Sequence, residues 1–132
     1  MATGKINASV NSAYAQTAAV PGGDITTTGR TNILSVPHTT KTGKYVVIAS
    51  LPLLTSRYTS VAQIDCAGTV IASQTINKTA SNGGWCFFGV RETTRGATET
   101  VTLSMYSQDS GTTARVQGYN SRHLLAFDIP NG

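Results

Sequence analysis

Charge is scarce in this chain. Only 12% of its 132 residues are Asp, Glu, Lys or Arg, about half the usual share for a globular protein. The acidic residues Asp24, Asp65, Glu92, Glu99, Asp109 and Asp128 never form a close pair. That argues against glycosidase-type carboxylate chemistry and against a calcium loop, which needs several oxygens within a dozen residues. The basic residues are spread from Lys5 to Arg122 and give a mild net charge of +4. Nucleic-acid binders gather such residues on one stripe and interleave aromatics, so no nucleic-acid partner is expected. No apolar run approaches the ~20 residues that span a bilayer, and no membrane partner is expected. The start, Met1-Ala2-Thr3-Gly4-Lys5, has no apolar run of signal-peptide length, so secretion is not expected either.

Cysteine is nearly absent too. Cys66 and Cys86 are two thiols in a chain whose two histidines, His38 and His123, lie in unrelated contexts, too few for a structural zinc site. Without a secretory route, two small buried hydrophobes are expected here rather than a disulfide. There is no Gly-x-Ser-x-Gly elbow, no Walker loop, and no Gly-x-Gly-x-x-Gly after a strand. His38 sits in a Thr-rich turn, and His123 opens the last strand. The carboxylate nearest to His123, Asp128, falls five residues on and therefore on the opposite strand face. Both histidines are expected at the surface or at strand ends. Asn7-Ala8-Ser9 and Asn77-Lys78-Thr79 fit the glycosylation sequon and are read as chance matches. No catalytic, cofactor-binding or metal site is expected, and no cofactor.

A helical repeat is missing as well. Leu, Ala, Glu and Lys form no long run of period 3.6, while Thr, Ser and 13 Gly residues are abundant. That is the profile of an all-β domain with Thr-rich exposed faces. Strands are expected at Ile33-Leu34-Ser35-Val36, stopping at Pro37, and at 44–51, with Tyr45, Val47, Ala49 and Leu51 on one face and Pro52 breaking it. Residues 59–66 and 69–75 form a hairpin around Ala67-Gly68, with Ala62, Ile64 and Cys66 opposite Val61, Gln63 and Asp65. Trp85-Cys86-Phe87-Phe88-Gly89-Val90 is the most apolar run and is expected to cross the core. Val101, Leu103 and Met105 alternate with Thr102, Ser104 and Tyr106. An extended run, 112–117, and a closing strand follow, in which Leu125, Phe127 and Ile129 alternate before Pro130. So apolar a terminus is expected to be a central strand, and the count comes to about eight strands.

The first 31 residues differ. Small polar residues dominate, and large apolar ones are few: Ile6, Val10, Tyr14, Val20 and Ile25 are the contacts such a segment could offer. It is expected to be an extended arm, 1–31, ahead of a domain, 32–132, with Pro21-Gly22-Gly23 as a bend. The arm orders only when pinned, either along its own domain as an added strand or by neighbouring chains. The neighbouring chain is the expected clasp.

Three stretches then carry a family likeness. Gly43-Lys44-Tyr45-Val46-Val47, the hairpin of residues 61–73, and the closing stretch 99–129 with Leu124-Leu125-Ala126-Phe127-Asp128-Ile129 resemble the globular heads of the complement and tumour-necrosis-factor superfamily. The resemblance implies an antiparallel jelly-roll sandwich that assembles as a tight homotrimer around apolar and aromatic sheet residues. Tyr45, Trp85, Phe88, Tyr106 and Phe127 are the candidate intersubunit contacts. Trp85 and Phe88, three apart, are expected on opposite faces. The small-residue arm and the Thr/Ser/Gly-rich strands also look like bacteriophage virion proteins. That style implies a structural, non-enzymatic capsid decoration protein on the virion surface, assembled in the host cytoplasm, with the major capsid protein or neighbouring virion subunits as partners. The alternative is a receptor- or glycan-binding head of a phage fibre or tail. There the loops 77–84 and 108–111, with Tyr58 and Tyr119, would meet a cell-surface receptor.

Overall fold

The computed structural model describes residues 11–17, 25–27, 30–53, 60–76, 83–107, 114–116 and 122–130. All regular elements among them are strands: β1 (Ser12–Thr17), β2 (Ile25–Thr27), β3 (Thr31–Thr39), β4 (Lys44–Leu53), β5 (Ser60–Cys66), β6 (Thr69–Ile76), β7 (Gly83–Glu92), β8 (Thr98–Ser107), β9 (Ala114–Val116) and β10 (Arg122–Asp128). Eight of them make two antiparallel four-stranded sheets. The first runs β1-β10-β4-β7 and the second β3-β8-β5-β6; the short β2–β9 pair continues the first beyond the end of β10, through Leu53 and Val116. Chain neighbours thus sit mostly in opposite sheets, which is the jelly-roll arrangement.

Side-chain alternation brings the two sheets together. Tyr45, Val47 and Ala49 of β4 and Leu124 and Ala126 of β10 face Ala62, Ile64 and Cys66 of β5 and Val101, Leu103 and Met105 of β8, all fully buried. Each large aliphatic side chain closed off in this way contributes roughly 1.5–3 kcal/mol. At the open edges the sheets close by near-contact: Gly89 of β7 faces inward, where a Cβ would stand 3.0 Å from Ile71 of β6. The Ala67-Gly68 hairpin turn has φ of 49° and 85°, the left-handed pair that a two-residue turn needs to match strand twist.

One end of the sandwich is held by polar groups. Asp128 of β10 reaches across to His38 of β3 (Oδ1 to Nε2, 2.9 Å) and also accepts from the Asn11 side chain (2.8 Å) and the Lys41 amide (2.7 Å). Glu99 of β8 reaches the other way. It accepts from the Tyr45 hydroxyl of β4 at 2.8 Å and from the Arg91 guanidinium of β7 at 3.0 and 2.7 Å. The His38 ring lies 4.7 Å from that of Tyr45. Two carboxylates, one from each sheet, therefore staple the sheets in opposite directions. Burial pushes the Tyr45 hydroxyl well above its usual range, helped by Cys66 and Glu99, and burial likewise raises the Cys66 thiol. The Arg91 bond holds Glu99 low against the opposing effect of burial.

Several expectations change. Pro37 and Pro52 lie inside strands. β3 is an edge strand, and β4 has already lost β10 as a partner at Pro52, so each proline meets an open side where no N–H is needed. β7 is an edge strand, not a core crossing: Phe87 and Gly89 face in, while Cys86, Phe88 and Val90 face out. β10 is central, between β1 and β4, but its inward residues are Leu124 and Ala126 with the buried Arg122 and Asp128; Leu125, Phe127 and Ile129 face out. Part of the stretch expected to be an arm, Ser12–Thr17, is a strand paired on the chain's own β10. Cys66 is buried as expected, Cys86 is exposed, and both are free.

Candidate functional site

The two outer faces of the sandwich have opposite chemistry. On the β1-β10-β4-β7 face the outward residues form rows across the strands. One row runs Tyr14, Leu125, Ile48, Phe88, and the next runs Ser12, Phe127, Val46, Val90. A third carries His123, Ser50 and Cys86. Phe88 is 68% exposed, Tyr14 52% and Val90 44%; Leu125, Ile48, Val46 and Phe127 are half-buried. Tyr14 stacks on His123, with ring centroids 5.9 Å apart, and its hydroxyl meets His123 Nδ1. The rows join into one apolar surface with aromatics at two of its sides.

The β3-β8-β5-β6 face is polar. Asn32, Ser104, Gln63 and Ser73 share one row; Ser35, Thr102, Asp65 and Val70 share the next. Arg30, just ahead of β3, lies over both. Its Nε donates to Ser104 Oγ at 3.1 Å, and its Nη2 stands 3.4 Å from Asp65 Oδ1. A tight charge-assisted bond is nearer 2.7–2.9 Å. Asp65 Oδ1 is buried and has no hydrogen-bond partner. Leaving such an acceptor unsatisfied costs about 1–3 kcal/mol, so the site holds an unmet demand for a donor. Tyr106, half-buried beside Val61, supplies an aromatic ring at the edge of this field. Asn32, Ser35 and Ser73 are exposed and Gln63 is half-buried, while Thr102, Ser104 and Asp65 at the centre of the face are buried, so the exposed hydrogen-bonding groups lie around the ion pair and not at it.

The candidate contacts separate accordingly. Phe88 and Phe127 come together on the apolar face, in adjacent rows. Tyr106 is on the polar face. Tyr45 is a correction: it is fully buried between the sheets and bonded to Glu99, so its own chain already covers it. Trp85 pairs with Leu51 in the β4–β7 ladder, and its side chain lies outside the described residues. Of the arm residues, Tyr14 is on β1 at the rim of the apolar face and Ile25 pairs with Val116; Ile6, Val10 and Val20 lie outside the described residues, as do Tyr58, Tyr119 and the loops 77–82 and 108–111.

His38 is a second correction. It is buried on β3 and not in a surface turn, because the strand passes through Pro37 and the inward parity continues from Leu34 to His38. Its bond to Asp128 has the form of a base held by an orienting carboxylate, yet the His38 side chain is only 1% exposed. Sealed in this way, it fixes β3 to β10 and meets no substrate. Among the described residues no group of three or more His, Cys, Asp or Glu is placed to hold a metal ion. Sequence reading missed Arg30 and Asp65 as a pair, since they are 35 positions apart and only the β3-β8-β5 order brings them together.

No protein-family model matches the sequence, and no curated protein matches it. Among solved structures the fold is similar to the C-terminal domain of EclA, described as a sugar-binding protein. The identity is 16%, the TM-score 0.51, and the match covers 90% of this chain and 81% of that one. At that identity the likeness concerns the β-sandwich fold.

Proposed function

We propose that the chain is a glycan-binding β-sandwich module, of the receptor-recognising kind, and that its sugar lies on the β3-β8-β5-β6 face. The observation that carries this reading is the Arg30–Asp65–Ser104 array, with a buried carboxylate oxygen lacking a donor, set in a field of Asn32, Gln63 and Ser73 side chains. Sugars are ligands of many hydroxyls, each able to donate and accept, and the exposed Asn32, Ser35 and Ser73 side chains offer groups of both kinds. Tyr106 offers the ring face against which the apolar side of a pyranose packs. The fold likeness to a sugar-binding domain points the same way. The test is a glycan array probed with the labelled full chain, followed by titration calorimetry. The expected result is a defined set of bound glycans and at least tenfold weaker binding by Gln63→Ala at unchanged melting temperature. An array without binding, or a variant that binds equally well, would overturn the reading.

A second reading has its own observation. The apolar β1-β10-β4-β7 face, with Phe88 and Phe127 in adjacent rows, has the character of a subunit contact. It supports a structural virion protein, a homotrimer decorating a capsid, as the resemblance to complement and tumour-necrosis-factor heads implies. The two readings use different faces, and a trimeric head that binds sugar would satisfy both.

A further inference from the structure

We infer that the open edge of β7 is a contact for a second copy of this chain, paired antiparallel about a twofold axis at Phe88. Among the described residues β7 pairs only with β4, so its other side presents unpaired backbone groups. The remaining edges carry features that discourage strand pairing. β1 is six residues long, β3 has Pro37 and a bulge between Asn32 and Leu34, and β6 meets β5 with a register shift at Ile64 and Asp65. β7 has none of these. Its ten residues match β4 one for one, and Gly83 to Val90 holds no proline and no charge. Cys86, Phe88 and Val90 on its outer side are exposed. So long, regular and apolar an edge is a template for another strand.

The pattern along the edge selects a second copy as its occupant. With Phe88 opposite Phe88 of the second copy, the axis sets Cys86 opposite Val90 on the outer side and Phe87 opposite Gly89 on the inner side. A large ring then meets a position with no side chain, and no charge in Gly83 to Val90 stands against another. An axis at Phe87 would instead drive two inward rings together. An unrelated extended peptide would gain the same backbone bonds without this matched alternation. The row Tyr14, Leu125, Ile48, Phe88 continues into the same row of the second copy, joining two four-stranded sheets into one. The contact lies apart from the polar face where the sugar is placed, and it gives a dimer where contact through the apolar face gives a trimer.

The test uses the full chain. Analytical ultracentrifugation of the wild type at micromolar concentration is expected to give a twofold mass, and hydrogen exchange is expected to slow at alternate β7 amides as concentration rises. A monomer, a threefold mass, or β7 amides that exchange equally fast at all concentrations overturns the inference. The register has its own readout. Opposite residues of an antiparallel pair have Cα atoms about 4.5–5.5 Å apart, within disulfide reach. Phe88→Cys in a Cys86→Ser background is therefore expected to form a linked dimer under mild oxidant, and because Phe88 is exposed the fold tolerates the change. In the wild type Cys86 stands about 14 Å along the strand from its mate and is expected to stay free under the same treatment. A Phe88→Cys chain that stays unlinked, or a wild type that links through Cys86, overturns the pairing.

Discussion

Ala67 holds a left-handed backbone, φ 49°, in a turn whose partner is Gly68. An L-residue with a Cβ costs about 1–2 kcal/mol there, and Asn tolerates the region better because its side chain bonds locally. Ala67→Asn is therefore expected to stabilise the chain by about 1 kcal/mol, read as a melting temperature several degrees higher. Asp128 is the opposite kind of residue, already fully used. Burial alone would raise its pKa, but the Lys41 amide, His38, Thr40 and Asn11 bonds outweigh that and bring it to about 2 from 3.8. A folded pKa below the unfolded one gives stability that is present above about pH 4 and is lost as pH falls toward 2. The depression corresponds to about 2 kcal/mol. Asp128→Asn should be less stable at neutral pH by at least that order, and its melting temperature should change less than the wild type's between pH 5 and pH 2.

At the scale of the strand, β1 looks dispensable in sequence but holds a structural position. Its sequence, Ser12-Ala13-Tyr14-Ala15-Gln16-Thr17, has little to bury. Yet it covers one edge of β10, and Asn11 beside it donates to Asp128 and to the Thr39 carbonyl. Deleting residues 1–17 bares a row of β10 backbone groups, and an open apolar strand edge invites pairing with other chains. The truncated chain is expected to melt lower and to aggregate at concentrations where the full chain does not, as measured by scanning calorimetry and light scattering. A truncated chain as soluble and as stable as the full one would contradict this placing of β1.

For the whole molecule the contrast between faces matters most. A sandwich needs its two inner faces apolar and has no need of an apolar outer one, so the rows from Tyr14 to Phe88 and from Phe127 to Val90 are surplus to folding. The reading of that face as a subunit contact predicts a threefold mass for the wild type at micromolar concentration in analytical ultracentrifugation. Phe88→Asp should then give monomers with an unchanged far-ultraviolet dichroism spectrum, since Phe88 contributes little to its own core. A wild-type monomer would remove the trimer reading and leave the glycan reading on the other face untouched.

Alternation in the sequence was enough to determine an all-β sandwich and most strand faces. Tyr45, Val47 and Ala49, Ala62, Ile64 and Cys66, and Val101, Leu103 and Met105 all point inward as their period of two requires. It could not decide the faces of β10 and β7, because in Leu124-Leu125-Ala126-Phe127 and Phe87-Phe88-Gly89-Val90 both parities are apolar or small. There the choice fell to the tertiary structure: Asp128 had to turn in to reach His38, and Gly89 had to turn in to admit Ile71. That commits Phe127 and Phe88 to the outside. The polar site follows the same logic. Arg30 and Asp65 carry no local signal of each other, and only the jelly-roll strand order, fixed by pairings far apart in the chain, sets them side by side across β8.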